Sequence, residues 1–485
     1  MILTALWLTP LAGAMLVAAV PTGRSSAAKY TALGVSAGVL VIVGLLVARF
    51  DPADPQYQLV ESHSWIKSFG AGYIVGIDGV AMVLVLLTTV MMPLLLLAGW
   101  NDVGRPGLYL ALMLVTESMM LVALVALDVM LFFVFFEAML IPMYFLIGRY
   151  GGVGAPRAAL KFLLYSLSGG LLMLAALIGL NLITGTFDSR AIAAGMSSGA
   201  IVADPDVLHL LFLGFLLAFA VKAPLWPLHT WLPGVAAEAT PVTAVLMMAV
   251  VDKIGTFGML RYCLRLFPDS AVLFRPFVIA LAVIGIIYGA LVAIGQSDIM
   301  RVIAYTSISH FGFIVLGIFA MTSQGQSGAT LYMVNHGLAT AALFLIAGFL
   351  VSRKGTRLIA DYGGVQQVAP VLAGTFLVAG MASLALPGLA PFVSELLVLI
   401  GTFARYPVVA VLAGTGLVLS AIYILWLYQR IMTGPRRGEL RDLVPREMTV
   451  VMPLLAMLIV LGVYPKPALD VIDPAIARPV AVTGR

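Results

Sequence analysis

Six ionisable side chains stand in stretches of sequence that are otherwise too apolar to carry charge. Glu137 lies in DVMLFFVFFEAMLIPMYFLIG, and Lys222 lies two residues before Pro224 in VKAPLWPLHTWLP. Lys253 follows Pro241 by twelve residues. His310 sits in TSISHFGF, His336 in MVNHGLAT, and Glu395 four residues after Pro391 in LALPGLAPFVSE. An ionisable group at the centre of a bilayer costs about 2.5–3.5 kcal/mol on insertion scales, so each needs a partner, water or a task. Carboxylate, ammonium and imidazole together are groups that take and release protons. A lysine poised between burial and a neighbouring carboxylate is suited to that exchange.

Position along the helix strengthens two of these assignments. Glu137 is nine residues past Asp128, which is about 13 Å at ~1.5 Å per residue and therefore near mid-membrane. Lys253 lies about 18 Å into its helix by the same rise, too deep to reach the interface easily. For His310 and His336 two readings stand: a proton relay, or a hydrogen-bonded core residue. A haem-ligand pair is a third reading, and no ligand pairs stacked along shared helices support it. Glu117, in LVTESMM, is either a second acid facing the same interior or a packing group. Asp128 and Asp298 fall at helix starts, where a carboxylate satisfies free N–H groups. His63, His209, His229, Glu238 and Cys263 are assigned no chemistry.

The elements that must hold these residues are membrane helices. Of the 485 residues, 62% are hydrophobic and 10% charged, against roughly 25% charged in ordinary soluble domains. A span needs about 20 mostly apolar residues, and about fourteen such stretches occur. They run near 2–20, 30–48, 78–100, 108–127, 129–148, 159–183, 207–232, 241–264, 275–296, 299–321, 328–351, 371–404, 407–429 and 448–464. The first has no basic leader region and reads as a retained helix. Lys and Arg are more frequent in the loops after odd-numbered helices, which places those loops in the cytoplasm and both termini outside. The fold class expected is therefore all-α and polytopic.

Two of these helices are expected to break. The seventh carries Pro224, Pro227 and Pro233, and the twelfth carries Pro387, Gly388 and Pro391. Proline removes a backbone donor and clashes with the preceding turn. Loosened backbone at membrane depth is tolerated only beside protein or a water-filled cavity. The two breaks are five helices apart, and a five-helix unit repeated once is inverted. Paired interrupted helices of this kind point to a transport site. The division expected is 1–106 for helices one to three, 107–265 and 266–430 for two inverted five-helix repeats, and 431–485 for a cytoplasmic loop, the last helix and a tail.

Several function classes are excluded. One cysteine leaves no disulfide framework, thiolate cluster or Cys-based zinc site. No Walker A loop is present, so ATP does not drive transport. GGVGAP at 151–156 is not a dinucleotide fingerprint, and no acidic run suggests a calcium loop. The net charge of +5 goes mostly to orienting the chain in the membrane, not to binding nucleic acid. Any redox energy must come from elsewhere.

The segments LFFVFFEAMLIPMYFLIG, AALKFLLYSLSGG, KAPLWPLHTWLP, DKIGTFGMLRY, RVIAYTSISHFGF, VNHGLATAALFLIAG, LPGLAPFVSE and LWLYQRIMTG resemble the antiporter-like membrane subunits of respiratory complex I, the M-type (NuoM-type) branch most of all. The resemblance runs over about residues 75–435 in unbroken order. It implies fourteen helices, two inverted repeats, broken seventh and twelfth helices, and a chain of charges across mid-membrane. By position, Glu137 matches the fifth-helix glutamate and Lys222 the lysine paired with it. Lys253 matches the eighth-helix lysine, His310 and His336 the connecting histidines, and Glu395 the twelfth-helix terminal group. A glutamate there, and the absence of a long lateral helix, favour the M type over the L and N types. Met300 stands where many members carry a basic residue, and Gly234 where many carry Asp, so no role is carried to either.

The expectation is a proton-translocating subunit of NADH–quinone oxidoreductase with no redox centre of its own. NADH, FMN, iron–sulfur clusters and quinone are expected in partner subunits, with L-type and N-type neighbours in a bacterial inner membrane. One rival is a subunit of a multi-subunit sodium/proton antiporter. The other is a scaffold that transports nothing, in which Glu137, Lys222, Lys253 and Glu395 can be neutralised harmlessly.

Overall fold

The computed structural model describes residues 1–21, 23–104 and 106–477. Thirteen helices among the described residues are long and apolar enough to cross a membrane. In chain order they are α1 (Ile2–Ala19), α2 (Ser25–Arg49), α3 (Gly79–Ala98), α4 (Pro106–Val125), α5 (Val129–Tyr150), α6 (Ala155–Thr184) and the first half of α7 (Pro205–Lys222). They continue with α8 (Pro241–Leu266), α9 (Pro268–Ile294), α10 (Ile299–Phe319), α11 (Ser323–Lys354), α13 (Pro407–Met432) and α14 (Pro445–Val463). The expected twelfth span is present as two apolar halves, α12a (Pro370–Ser383) and α12b (Ala390–Phe403). The bundle is mostly helical, as the composition required.

Local chemistry sets the helix starts. Asp78, Asp128, Asp204, Thr240, Asp298 and Thr322 each accept a backbone N–H from the first turn of the helix that follows. Each thereby satisfies a donor that has no partner inside the helix. Asp128 and Asp298 are the caps expected. Burial then sorts the helices: the most apolar window of α8 is wholly buried, and those of α10 and α11 are 94% and 89% buried. In α1, α13 and α14 only 33% is buried. The first group forms the interior of the bundle, and the second turns most of its apolar surface outward.

The breaks differ from the expectation in which prolines make them. α7a ends at Lys222, and α7b resumes as Leu232–Glu238. Pro224 cannot donate, so Leu225 N–H bonds to the Ala220 carbonyl instead (2.9 Å). The carbonyl of Val221 is taken by the Trp231 indole N–H (3.0 Å). Pro233 sits in the first turn of α7b, where a missing N–H costs nothing, so it opens the second half and does not break the first. Pro391 likewise lies in the first turn of α12b. The twelfth-helix break is made by the turn at 384–389, with Ala385 and Gly388 at φ +59° and +93°.

Three elements went unpredicted. An antiparallel hairpin, β1 (Gln58–Ile66) and β2 (Ala71–Ile77), pairs Glu61 with Val75 and His63 with Tyr73. A short helix, Ser189–Ser198, follows α6. A further helix, α15 (Lys466–Ala477), occupies part of the expected tail and packs on α3 and α11. Residues 478–485 of that tail lie outside the described residues, as do Thr22 and Arg105. Arg261, near the end of the eighth span, is buried in α8, where its Nη2 pairs with Asp78 Oδ1 at 2.5 Å.

Candidate functional site

Glu137 occupies the turn of α5 just before the helix is interrupted at Met139. Its carboxylate lies directly on Gly170 of α6, where a methyl group would collide with it. Lys222 is the last residue of α7a and is 1% exposed. Its Nζ has no hydrogen-bond partner and lies 5.4 Å and 5.2 Å from the ring centres of Phe136 and Phe162. Glu137 adjoins that Phe136 in α5 but forms no ion pair with Lys222, and its Oε1 is also unpartnered. An opposed pair held apart in an apolar setting responds strongly to small changes in separation, because little dielectric screens it.

Lys253 is placed by a distortion of α8. Residues Leu246–Val251 wind as a π-helical turn, so Asp252 N–H bonds to Met247 O (2.9 Å) and not to Met248 O. The freed Met248 carbonyl accepts from Lys253 Nζ at 2.6 Å. The same ammonium lies 2.9 Å from His336 Nδ1 and 4.6 Å from the Phe311 ring centre. Such π turns concentrate at functional positions.

From Lys253 the polar line continues through α11 and α10. His336 Nε2 lies 3.1 Å from Thr340 Oγ1, and its ring centre is 5.3 Å from that of His310. His310 Nε2 lies 3.4 Å from the Tyr423 hydroxyl on α13. The Tyr332 ring is 5.9 Å from His310, and its hydroxyl donates to Glu395 Oε1 on α12b. The other oxygen of Glu395 is unpartnered. Asn335 holds the restart of α12b in place, with Nδ2 bonded to the Ala390 carbonyl (2.7 Å) and Ser394 Oγ (3.3 Å). Lys222, Lys253, His310, His336 and Glu395 are all at most 4% exposed.

The structure therefore joins Lys253, His336, His310 and Glu395 into one buried line, and Glu137 and Lys222 into a separate pair. Sequence reasoning missed Tyr332, whose hydroxyl reaches Glu395, and Tyr423, whose hydroxyl lies beside His310. It also missed Asp252, the residue before Lys253 in α8. Asp252 is fully buried, with neither carboxylate oxygen hydrogen-bonded. The signal was present, since an acid beside a lysine in a buried helix is as anomalous as the lysine. Glu117 is also fully buried with both oxygens unpartnered, but no charged group among the described residues acts on it. His229, assigned no chemistry, is buried in the break between α7a and α7b, its ring 5.1 Å from that of Tyr288.

Comparison with known proteins follows the same lines. The profile of the family described as NADH:quinone oxidoreductase/Mrp antiporter, TM, matches residues 126–422. The NADH-quinone oxidoreductase subunit M of Mycobacterium tuberculosis is 60% identical over all of this chain and 94% of its own length. That of Rhodobacter capsulatus is 41% identical, over 97% and 94%. Among solved structures, a chain of respiratory complex I from Thermus thermophilus superposes with a TM-score of 0.89 at 30% identity, covering 99% of both chains. A chain of the Mrp complex from Dietzia superposes at 0.88 with 19% identity, over 98% of this chain and 96% of that one, which is a likeness of fold.

Proposed function

The chain belongs to the NADH:quinone oxidoreductase/Mrp antiporter family of membrane proteins, as an antiporter-like subunit of the M type, and we propose that Glu137, Lys222, Lys253, His336, His310 and Glu395 are the groups by which it translocates protons. The observation that carries this reading is the buried polar line from Lys253 to Glu395, which ends at a broken helix. The chain is a proton-translocating membrane subunit of NADH–quinone oxidoreductase within a multi-subunit assembly. Neighbouring L-type and N-type subunits, NADH, FMN, iron–sulfur clusters and quinone complete that assembly in the proposal.

The arrangement suggests how work is done without redox chemistry here. Quinone reduction elsewhere shifts charge at one end of the line. Approach or separation of Glu137 and Lys222 changes the proton affinity of Lys222, and a tenfold change corresponds to about 1.4 kcal/mol. Lys253 and the histidines pass the proton on, and Glu395 exchanges it with the far side. The two five-helix units, α4–α8 and α9–α13, each hold a broken helix in fourth place. In this reading they are the inverted repeats, and the termini lie outside the cytoplasm of a bacterial cell.

The test uses the intact complex, purified through a tag on this chain and reconstituted in vesicles. NADH:quinone activity should co-purify, and Glu137→Gln or Lys222→Ala should abolish the proton movement assigned to this chain while the complex still assembles. Full pumping by both variants overturns the assignment. A large assembly with no NADH oxidation but sodium-driven proton movement favours the antiporter alternative.

A further inference from the structure

We propose that Asp252 is a proton-carrying residue that links Lys222 to Lys253, an inference that rests on the translocation reading above. Three observations place it. First, Asp252 is wholly buried and neither carboxylate oxygen has a hydrogen-bond partner. A carboxylate left unpaired in an apolar interior costs several kcal/mol, so the group is held there against a penalty. Second, the packing of α8 brings it to the break. Gly255, three residues on, presses its backbone against Phe219 O and Ala223 N, on either side of Lys222 at the end of α7a. A methyl group at Gly255 would meet both atoms at 2.7 Å. Third, Lys253 is the next residue along α8, and Lys222 ends α7a at the place where Gly255 packs against it.

Without Asp252 the site is two fragments. Lys222 has no hydrogen-bond partner, and Lys253 directs its ammonium to Met248 O and His336. The unpaired Asp252 carboxylate is the group that takes the proton from one to the other. The transfer balances in charge and protons. The Lys222 ammonium gives one proton to the Asp252 carboxylate, leaving a neutral amine and a neutral acid. Asp252 then gives that proton to neutral Lys253, regenerating the carboxylate and forming the second ammonium. The π turn at 246–251 supports the step, since the bond shift that frees Met248 O for Lys253 also fixes the backbone of Asp252.

The experiment is proton pumping by the intact complex in vesicles, with Lys222→Ala as the reference. Asp252→Asn should assemble, and the protons moved per NADH should fall to the level of Lys222→Ala. Asp252→Glu should restore most of them. Unchanged pumping by Asp252→Asn, with pumping lost in Lys222→Ala, overturns the inference and leaves the translocation reading standing. Unchanged pumping by both overturns the two together. If Asp252→Asn does not assemble, turnover-induced infrared difference spectra of the wild type and Asp252→Glu decide. A deuterium-sensitive carboxyl band that moves between the two shows that this residue loads and unloads a proton. An unmoved spectrum overturns the proposal.

Discussion

At the scale of single residues, the site depends on what lies beside each charge. Gly170 is glycine because the Glu137 carboxylate occupies the space of a side chain. Gly170→Ala should push Glu137 off its rotamer, at about 0.5–1.5 kcal/mol, and slow pumping about two- to tenfold with assembly intact. Pumping rates of the purified complex check this, and an unchanged rate refutes it. A second pair is structural. Asp78 caps α3 through Ala81 N–H (3.0 Å) and pairs with buried Arg261, whose guanidinium also faces the Tyr57 and Phe257 rings. Asp78→Asn keeps a capping oxygen but removes the opposite charge, at a cost of about 3–5 kcal/mol. The yield and thermal stability of the assembled complex should drop, and adding Arg261→Met should recover part of the loss. Arg261 falls inside the eighth expected span, and nothing near it in the sequence identifies a partner. The acid that buries it lies 183 residues away.

At the scale of elements, each break is held by one side chain that bonds to a backbone carbonyl. Trp231 does this for Val221 at the end of α7a, whereas at the second break Asn335 braces the start of α12b by donating to the Ala390 carbonyl in its first turn. The prolines announced both breaks, but only the structure separates those that make a break from those that start the next half. The short helix Ser189–Ser198 offers a pH prediction outside the membrane. Burial pushes the Asp188 carboxyl up, but the Arg190 fork (2.7 and 3.0 Å) and the backbone N–H groups of Arg190 and Ala191 outweigh it and hold it below the usual range. A carboxyl so depressed stabilises the folded form above its ordinary value, about 3.9. That stabilisation is lost as pH falls through the lower folded value. Amide exchange at 189–198 should be slow and unchanged between pH 7 and 5 after correction for intrinsic rates, and accelerate below about 4. Asp188→Asn should remove the dependence.

At the scale of the whole molecule, the interior helices α8, α10 and α11 carry the polar line as far as Tyr332, and α12b supplies its end at Glu395. Orientation belongs to this scale. The loop 433–444, with Arg436, Arg437 and Arg441, should face the cytoplasm under the positive-inside bias. A single cysteine placed at Gly438 should label from the cytoplasmic side of inside-out vesicles and be silent in intact cells. The reverse pattern inverts the topology.

The membrane class, the broken helices and the six anomalous ionisable residues were legible in the sequence alone. Each breaks a rule of apolar composition or helical hydrogen bonding that holds without reference to any neighbour. Which of those residues meet was decided by tertiary structure. Successive residues on a helix point about 100° apart, so nothing in the order Asp252–Lys253 says that one serves Lys222 and the other His336. That division is made by the π turn in α8 and by Gly255 letting α7a approach. Tyr332, which carries the line to Glu395, and Tyr423 beside His310 were silent for a similar reason. A buried tyrosine is ordinary in composition, and its hydroxyl acquires a role only from the helix packed against it.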